Sequence, residues 1–425
     1  MALETAFTID TSSIKYGPGV TREVGHDMRR LGAQRVMVLT DAQLAQGAAV
    51  ATAVAALKAA GIDAVLFDQV RVEPTSSSFL QAIEFASRGK FDGYLAVGGG
   101  SVIDTAKAAN LYATYPADLL AYVNPPIGRG EPVPGPLQPL IAVPTTAGTG
   151  SETTGVAIFD FTEMHAKTGI AHRALRPNLG ILDPDNTRTL PKLVAASSGL
   201  DVLSHALESL TALPYNQRAA PAAPELRPAY QGANPISDIW CGKAIQMVAA
   251  NIVRAIQDPD DGEARSQMLL AAAYAGIGFG NAGVHLPHGM SYPVSGMVRA
   301  YNPAGYPADH PIIPHGMSVI LNAPAVFRFT APANPQRHLL GAQLMGVDIS
   351  AVAEADAGAV LATAIISLMQ QTGVPNGLGA IGFTKADIPK LVEGTLPQHR
   401  VTKLSPRPAT AADLQTLFED ALRYW

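Results

Sequence analysis

The sequence predicts an α/β half built on a parallel sheet, residues 1–190, followed by an all-helical half, residues 191–425. Three observations carry this division. Short apolar runs alternate with helix-period runs up to about residue 190, as expected of strand–helix–strand units. From Pro191 onward strand patterns disappear and helical periodicity dominates. A chain of 425 residues also exceeds what one ordinary core supports.

Arg35–Asp41 is a short apolar run that ends in polar residues, a buried parallel strand. An Ala-rich helix follows, to about Ala60, then a strand over Asp63–Phe67 and a helix around Phe79–Arg88. Asp41 ends its strand, where open α/β sheets bind ligands. Its carboxylate can accept from both hydroxyls of an adenosine ribose, or cap the start of a helix. The next strand, Tyr94–Val97, runs directly into Gly98-Gly99-Gly100-Ser101, with Asp104 and Lys107 further along the helix that this turn opens. Three glycines let a phosphate approach the backbone at a helix N-terminus, although a simple tight turn needs glycine too. After a Pro/Gly-rich loop with Arg129 at its tip, a fourth strand, Leu140–Val143, leads into Pro144-Thr145-Thr146-Ala147-Gly148-Thr149-Gly150-Ser151-Glu152. These hydroxyls suit a diphosphate and a nicotinamide ribose, or a turn of Ser/Thr motifs.

In the second half, helix-period runs cover roughly Lys192–Leu213, Ile236–Gln257, Glu263–Phe279 and Ala351–Gln371. Asp201 and His205 stand four apart in the first of these and share one face. They are half of a metal site or a hydrogen-bonded core pair. The tetrapeptide Pro-His-Gly-Met then occurs twice, at 287–290 and 314–317, each time with a Pro that can open a helix. One carboxylate and three imidazoles, Asp201, His205, His288 and His315, suit iron or zinc and leave room for a substrate oxygen.

Composition narrows the classes. Hydrophobic residues make up 48% and charged ones 15%, which indicates large buried interiors. The net charge of −5 gives no electrostatic footprint for nucleic acid or an anionic membrane. Cys241 is the single cysteine, so neither a disulfide framework nor a thiolate cage is expected. The N-terminus carries no signal-like or transit-like pattern, and the apolar stretch Met268–Phe279 is short for a membrane span. The expected location is therefore cytoplasmic.

Taken together, the glycine turn with Asp104 and Lys107, the segment Thr145 to Glu152, the Asp201/His205 pair and the two Pro-His-Gly segments resemble the iron-containing (group III) alcohol dehydrogenases. The resemblance runs nearly end to end, in the family's order. It implies a dehydroquinate synthase-like fold, with an α/β dinucleotide-binding domain over 1–190 and an all-helical, metal-binding catalytic domain over 191–425. It implies Fe(2+), or Zn(2+) on the same ligands, and NAD as cofactors, and a homo-oligomer, a dimer. Carried over residue by residue, Asp201, His205, His288 and His315 are the metal ligands and catalytic centre. Asp41, Gly98, Gly99, Gly100, Ser101, Asp104, Thr145, Thr146, Thr149, Ser151 and Lys167 are the nucleotide positions. Many members have a second His where this chain has Tyr292, which questions a histidine proton relay there.

Several segments are similar to one branch of the family, the hydroxyacid–oxoacid transhydrogenases: Gly155–Asp160, the insert from Leu213 to Gly232, Asn234–Asp238, Gly276–His285 and Leu396–Leu404. That branch implies hydride transfer from 4-hydroxybutyrate or 3-hydroxybutyrate to 2-oxoglutarate through bound NAD. An NAD-dependent alcohol dehydrogenase with exchangeable cofactor is the alternative. A non-catalytic NAD-binding regulator is the third reading, and a complete metal set beside complete cofactor loops argues against it. For the substrate's carboxylates the candidates are Arg129, Arg218 and Arg227, with His285 and Tyr292 as further substrate-facing residues. Solvated loop arginines are the competing reading.

Overall fold

The computed structural model describes residues 2–164 and 166–425, and the chain divides into two compact units. One is Asp10–Leu190, the other Met1–Ile9 with Pro191–Trp425. Residues 1–9, expected with the first half, go with the second because they are bonded to its insert. Glu4 holds Arg227 in a two-pronged ion pair, and the Thr8 N–H donates to Gln231 Oε1 at 2.9 Å.

The strands of the first unit are β1 (Ser13–Tyr16), β2 (Arg35–Asp41), β3 (Asp63–Val70), β4 (Gly93–Gly98), β5 (Leu140–Pro144), β6 (Val156–Phe161), β7 (Ala166–Ala171) and β8 (Leu179–Leu182). Six form one parallel sheet in the order β1-β8-β5-β4-β2-β3, and β6 pairs with β7 as a separate antiparallel hairpin. The helices are α1 (Val24–Arg30), α2 (Ala48–Ala59), α3 (Ser76–Gly89) and α4 (Gly100–Thr114). Strand alternation sends Val36 and Val38 to the face that packs with Val24, Met28, Ala53 and Leu57 of α1 and α2. Met37 and Leu39 go to the face covered by Ala82, Ala86, Ile103 and Ala106 of α3 and α4. Helices thus cover both faces, and the strand order reverses between β2 and β4, beside which Asp41 and Gly98 end their strands. Doubly wound sheets bind ligands at such a switch point.

β2 to β5 lie where the apolar runs place them. The short strands β1 and β8 carry too little pattern to be read locally: β1 is a largely exposed edge that gains its register only from β8.

In the second unit the main helices are α5 (Lys192–Thr211), α6 (Pro235–Gln257), α7 (Gly262–Ala282), α8 (Leu286–Gly296) and α9 (His315–Ile320). Each coincides with or contains a predicted run or a Pro-His-Gly segment. The later run predicted from Ala351 begins at Ala357 instead, because a 3-10 turn occupies Glu354–Asp356. Close approach depends on glycine at two points. A Cβ on Gly316 would stand 2.2 Å from the Ser197 carbonyl oxygen, so glycine lets α9 rest on α5. A Cβ on Gly278 would stand 2.2 Å from Cys241 Sγ, where α7 meets α6. Cys241 itself is fully buried, its thiol pushed up to about 12 by burial.

Candidate functional site

The helical unit gathers its chemistry around α5. This helix is buried over nearly its whole length, and Asp201, His205 and Glu208 are spaced to share one face. The ligating atoms of Asp201, His288 and His315 lie within 4.8 Å of one another. His205 borders this group: its Nε2 is 3.9 Å from Asp201 Oδ1, and its ring stacks on His288 at 4.7 Å and on Phe279 at 3.9 Å. His288 Nε2 is 3.8 Å from the same Asp201 oxygen. Such distances are too long for hydrogen bonds. They match atoms that share one cation, each about 2 Å from it and so up to about 4 Å apart.

The protonation of His288 fits a ligand as well. Its Nδ1–H donates to Glu208 Oε1 at 2.6 Å, while its Nε2 is buried with no hydrogen-bond partner. A carboxylate on Nδ1 fixes the tautomer that presents Nε2 to a metal. Burial favours neutral His288, but the Glu208 charge and hydrogen bond outweigh it and raise the pKa. His205 is driven well below the ordinary range by burial, then by its His288 and His315 neighbours, which keeps a neutral imidazole. The largely buried oxygen of Asp201 and the nitrogens of His288 and His315, with His205 bordering them and Glu208 orienting His288, fit a divalent iron or zinc ion.

Glu208 was missed in the sequence, although its position seven after Asp201 on one face was a usable signal. It also accepts from the His285 N–H at 2.6 Å and lies 3.4 Å from the His288 N–H, so it caps α8 as well as orienting its ligand. His285 was a substrate-facing candidate by sequence. It precedes α8 with non-helical torsions, which turn its ring to Thr211 at 3.0 Å and edge-on to Phe327. Fully buried there, its pKa falls to about 4.

Tyr292 lies one turn beyond His288, its ring stacked on His315 at 6.4 Å. Its hydroxyl accepts from Arg400 Nη2 at 2.9 Å. The three predicted arginines are engaged elsewhere. Arg227 is held by Glu4, whose carboxyl falls to about 2 chiefly through the Arg227 hydrogen bond. Arg218 donates to the Tyr230 carbonyl at 2.9 Å. Arg129, in the other unit, is exposed and pairs with Glu131 at 2.6 Å and Asp118 at 3.5 Å.

The α/β unit holds the nucleotide candidates. Gly99 precedes α4, and Cβ atoms on Gly99 and Gly100 would stand 3.2 Å from Thr146 Cγ2 and 2.5 Å from Thr149 Cγ2. The Thr145 N–H donates to the Gly98 carbonyl at 3.1 Å, so the glycine turn and the threonine loop form one surface. Asp41 does not cap α2. Its Oδ1 accepts from the Gln43 and Leu44 N–H groups at 2.9 and 3.1 Å, and burial raises its pKa.

Other predicted contacts are occupied by the protein itself. Ser101 Oγ accepts from the Glu73 N–H at 3.1 Å. Asp104 accepts from the Ser151 hydroxyl at 2.5 Å and from the Ile158 N–H at 2.9 Å. Lys107, fully buried, donates to Ser151 Oγ at 2.6 Å and the Val156 carbonyl at 2.7 Å, and burial lowers it to about 8. Burial raises nearby Glu152 to about 7. Lys167 lies opposite Asp160 in the hairpin and pairs with it at 3.0 Å and with Glu73 at 2.6 Å. These groups brace the two loops rather than face outward.

Two family models match the chain: "Iron-containing alcohol dehydrogenase" over residues 11–184, and "Fe-containing alcohol dehydrogenase family, C-terminal" over residues 229–422. The hydroxyacid-oxoacid transhydrogenase, mitochondrial, of Bos taurus is 57% identical over 99% of this chain and 91% of its own length. Its Homo sapiens counterpart is 55% identical over 99% and 90%. Among solved structures, a 1,3-propanediol oxidoreductase superposes with a TM-score of 0.85 at 28% identity, covering 98% of this chain and all of its own. The cytoplasmic location expected from the sequence is overturned by these relatives, which are named mitochondrial. With both halves matched and more than half of all positions shared with such relatives, the chain belongs to the iron-containing alcohol dehydrogenase family, oxidoreductases that act on the CH–OH groups of small molecules.

Proposed function

We propose that the chain is a metal-dependent hydroxyacid–oxoacid transhydrogenase. A hydride leaves the carbinol carbon of 4-hydroxybutyrate (or 3-hydroxybutyrate), is carried on bound NAD, and is delivered to 2-oxoglutarate. The products are succinate semialdehyde (or acetoacetate) and 2-hydroxyglutarate, and the two half-reactions balance without outside oxidant. The single observation that carries this is 57% identity along 99% of the chain to a transhydrogenase.

In this reading Asp201, His205, His288 and His315 hold the metal, iron by family and zinc by an equally suitable donor set. When bound, the ion supplies Lewis-acid stabilisation of the substrate oxygen as it loses or regains its proton. Glu208 keeps His288 in its ligating tautomer, and Gly316 lets His315 approach Asp201. Asp41, the Gly98–Gly100 turn, Thr145, Thr146 and Thr149 would hold the nucleotide, which when bound would supply the hydride carrier. Asp104 and Lys107 fix the threonine loop through Ser151, and Lys167 ties the β6–β7 hairpin to Glu73.

The test is oxidation of 4-hydroxybutyrate by purified, metal-loaded protein without added nucleotide. Turnover that requires 2-oxoglutarate supports the proposal. Turnover that requires added NAD and ignores the oxoacid would leave an ordinary alcohol dehydrogenase.

A further inference from the structure

Arg400 follows from no motif, yet it stands beside the cluster. The short helix His399–Thr402 that carries it packs against α8, where a Cβ on Gly289 would meet Thr402 Cγ2 at 2.6 Å. Its guanidinium carbon lies 5.2 Å from the centre of the Tyr230 ring, and its Nη2 donates to the Tyr292 hydroxyl at 2.9 Å. Tyr230 in turn meets Phe279 edge-on at 6.5 Å, and Phe279 stacks on His205. Tyr292 stacks on His315. On both sides, then, a ring that touches the guanidinium leads to a metal-ligand candidate.

Its Nη1 is buried with no hydrogen-bond partner, and among the described residues no carboxylate pairs with it. The arginines predicted to bind substrate all have protein partners. Leaving the buried Nη1 of a half-buried guanidinium unpaired is costly, whereas its fork matches a carboxylate well. Tyr292, having accepted from Arg400, keeps its own O–H to donate to the same anion.

The structure assigns Arg400, held by Tyr292, as the residue that binds the carboxylate of the substrate and so selects hydroxyacids over plain alcohols. This rests on the transhydrogenase reading and deepens it. In 4-hydroxybutyrate two methylenes separate the carbinol carbon from the carboxylate. In 2-oxoglutarate two methylenes separate the oxo carbon from the distal carboxylate. One cation at a fixed reach from the Asp201/His288/His315 cluster therefore serves hydride donor and hydride acceptor in turn. It also gives the Tyr292 side chain a role, orienting an arginine.

The experiment compares 4-hydroxybutyrate with 1,4-butanediol, which has an uncharged hydroxymethyl group in place of the carboxylate. Single-turnover reduction of the bound nucleotide is followed in metal-loaded wild type, R400M, R400K and Y292F. R400M should weaken apparent affinity for 4-hydroxybutyrate about 10- to 100-fold, the worth of a charge-assisted pair, and leave the diol unchanged. R400K and Y292F should fall between. Calorimetric binding of 2-oxoglutarate, which needs no turnover, should weaken in parallel. Equal losses for acid and diol, or no loss for the acid, would overturn the assignment. If R400M does not fold, wild-type affinities in both R400K and Y292F overturn it. Wild type that oxidises the diol and ignores the hydroxyacid defeats the transhydrogenase reading itself, and this assignment with it.

Discussion

The two units build their candidate sites in opposite ways. Around α5, polar side chains are buried with a ligating atom left over: Glu208 uses both oxygens, yet His288 Nε2 has no partner. Around α4, Lys107, Ser151 and Asp104 satisfy one another, and the candidate binding surface is made of glycines and threonines. A metal needs lone pairs aimed inward and held without competing hydrogen bonds, at a desolvation cost that the ion offsets. A dinucleotide phosphate instead needs backbone N–H groups on a stiff, small-residue turn.

Substitutions at the two places should therefore fail differently. The largest effect is expected of His288→Ala. Metal content should be lost and turnover should fall by about a thousandfold or more, with nucleotide binding in the α/β unit retained. Metal analysis beside nucleotide titration checks both halves of that statement. Loss of nucleotide affinity equal to the loss of metal would break the contrast.

Glu208→Gln tests whether the carboxylate acts through His288. An amide can still cap α8 but no longer holds the Nδ1 proton as strongly, and metal affinity should drop about 10- to 100-fold. A competitive chelator titration reads this, and unchanged affinity would reduce Glu208 to a helix cap.

A change of comparable size is expected beside α4, at a carboxylate with one buried oxygen that no hydrogen bond satisfies. Glu152 is buried, and its pKa is raised from the usual 4.5 to about 7, with burial the main cause. A raised pKa means that the folded state binds the proton more tightly. The stabilisation is full below about pH 4.5 and is lost as pH rises through 7. Glu152→Gln removes this dependence. Relative to wild type, the variant should gain up to about 3 kcal/mol between pH 4.5 and pH 7. Denaturant titrations across that window show it, and parallel curves for the two proteins would refute it.

Much of this was legible because it is local. The strands β2, β4 and β5 are nearly continuous apolar runs, since a parallel strand inside the sheet is buried on both faces. Asp201 and His205 announce themselves by a four-residue spacing, and the repeated Pro-His-Gly by composition. What escaped is what depends on neighbours far along the chain. The β6–β7 hairpin carries Lys167 to Asp160 and Glu73, so a lysine matched to the nucleotide becomes a brace. Arg227 was a candidate for the substrate's carboxylate by sequence, and the N-terminal Glu4 captures it.

By itself, then, the sequence determined the two halves, the helix with Asp201 and His205, the glycine and threonine turns, and the family, because periodicity, caps and turn chemistry act within a few residues. Only the tertiary structure decided which groups converge. His285 and His288 part company at the first turn of α8, Glu208 reaches both of their backbone N–H groups, and Arg400 comes to Tyr292 from more than a hundred residues away. Convergence is set by how closely helices pack. That closeness depends on the carbonyl that Gly316 leaves room for and the side chain that Gly289 faces, and neither neighbour is written near the glycine in the chain.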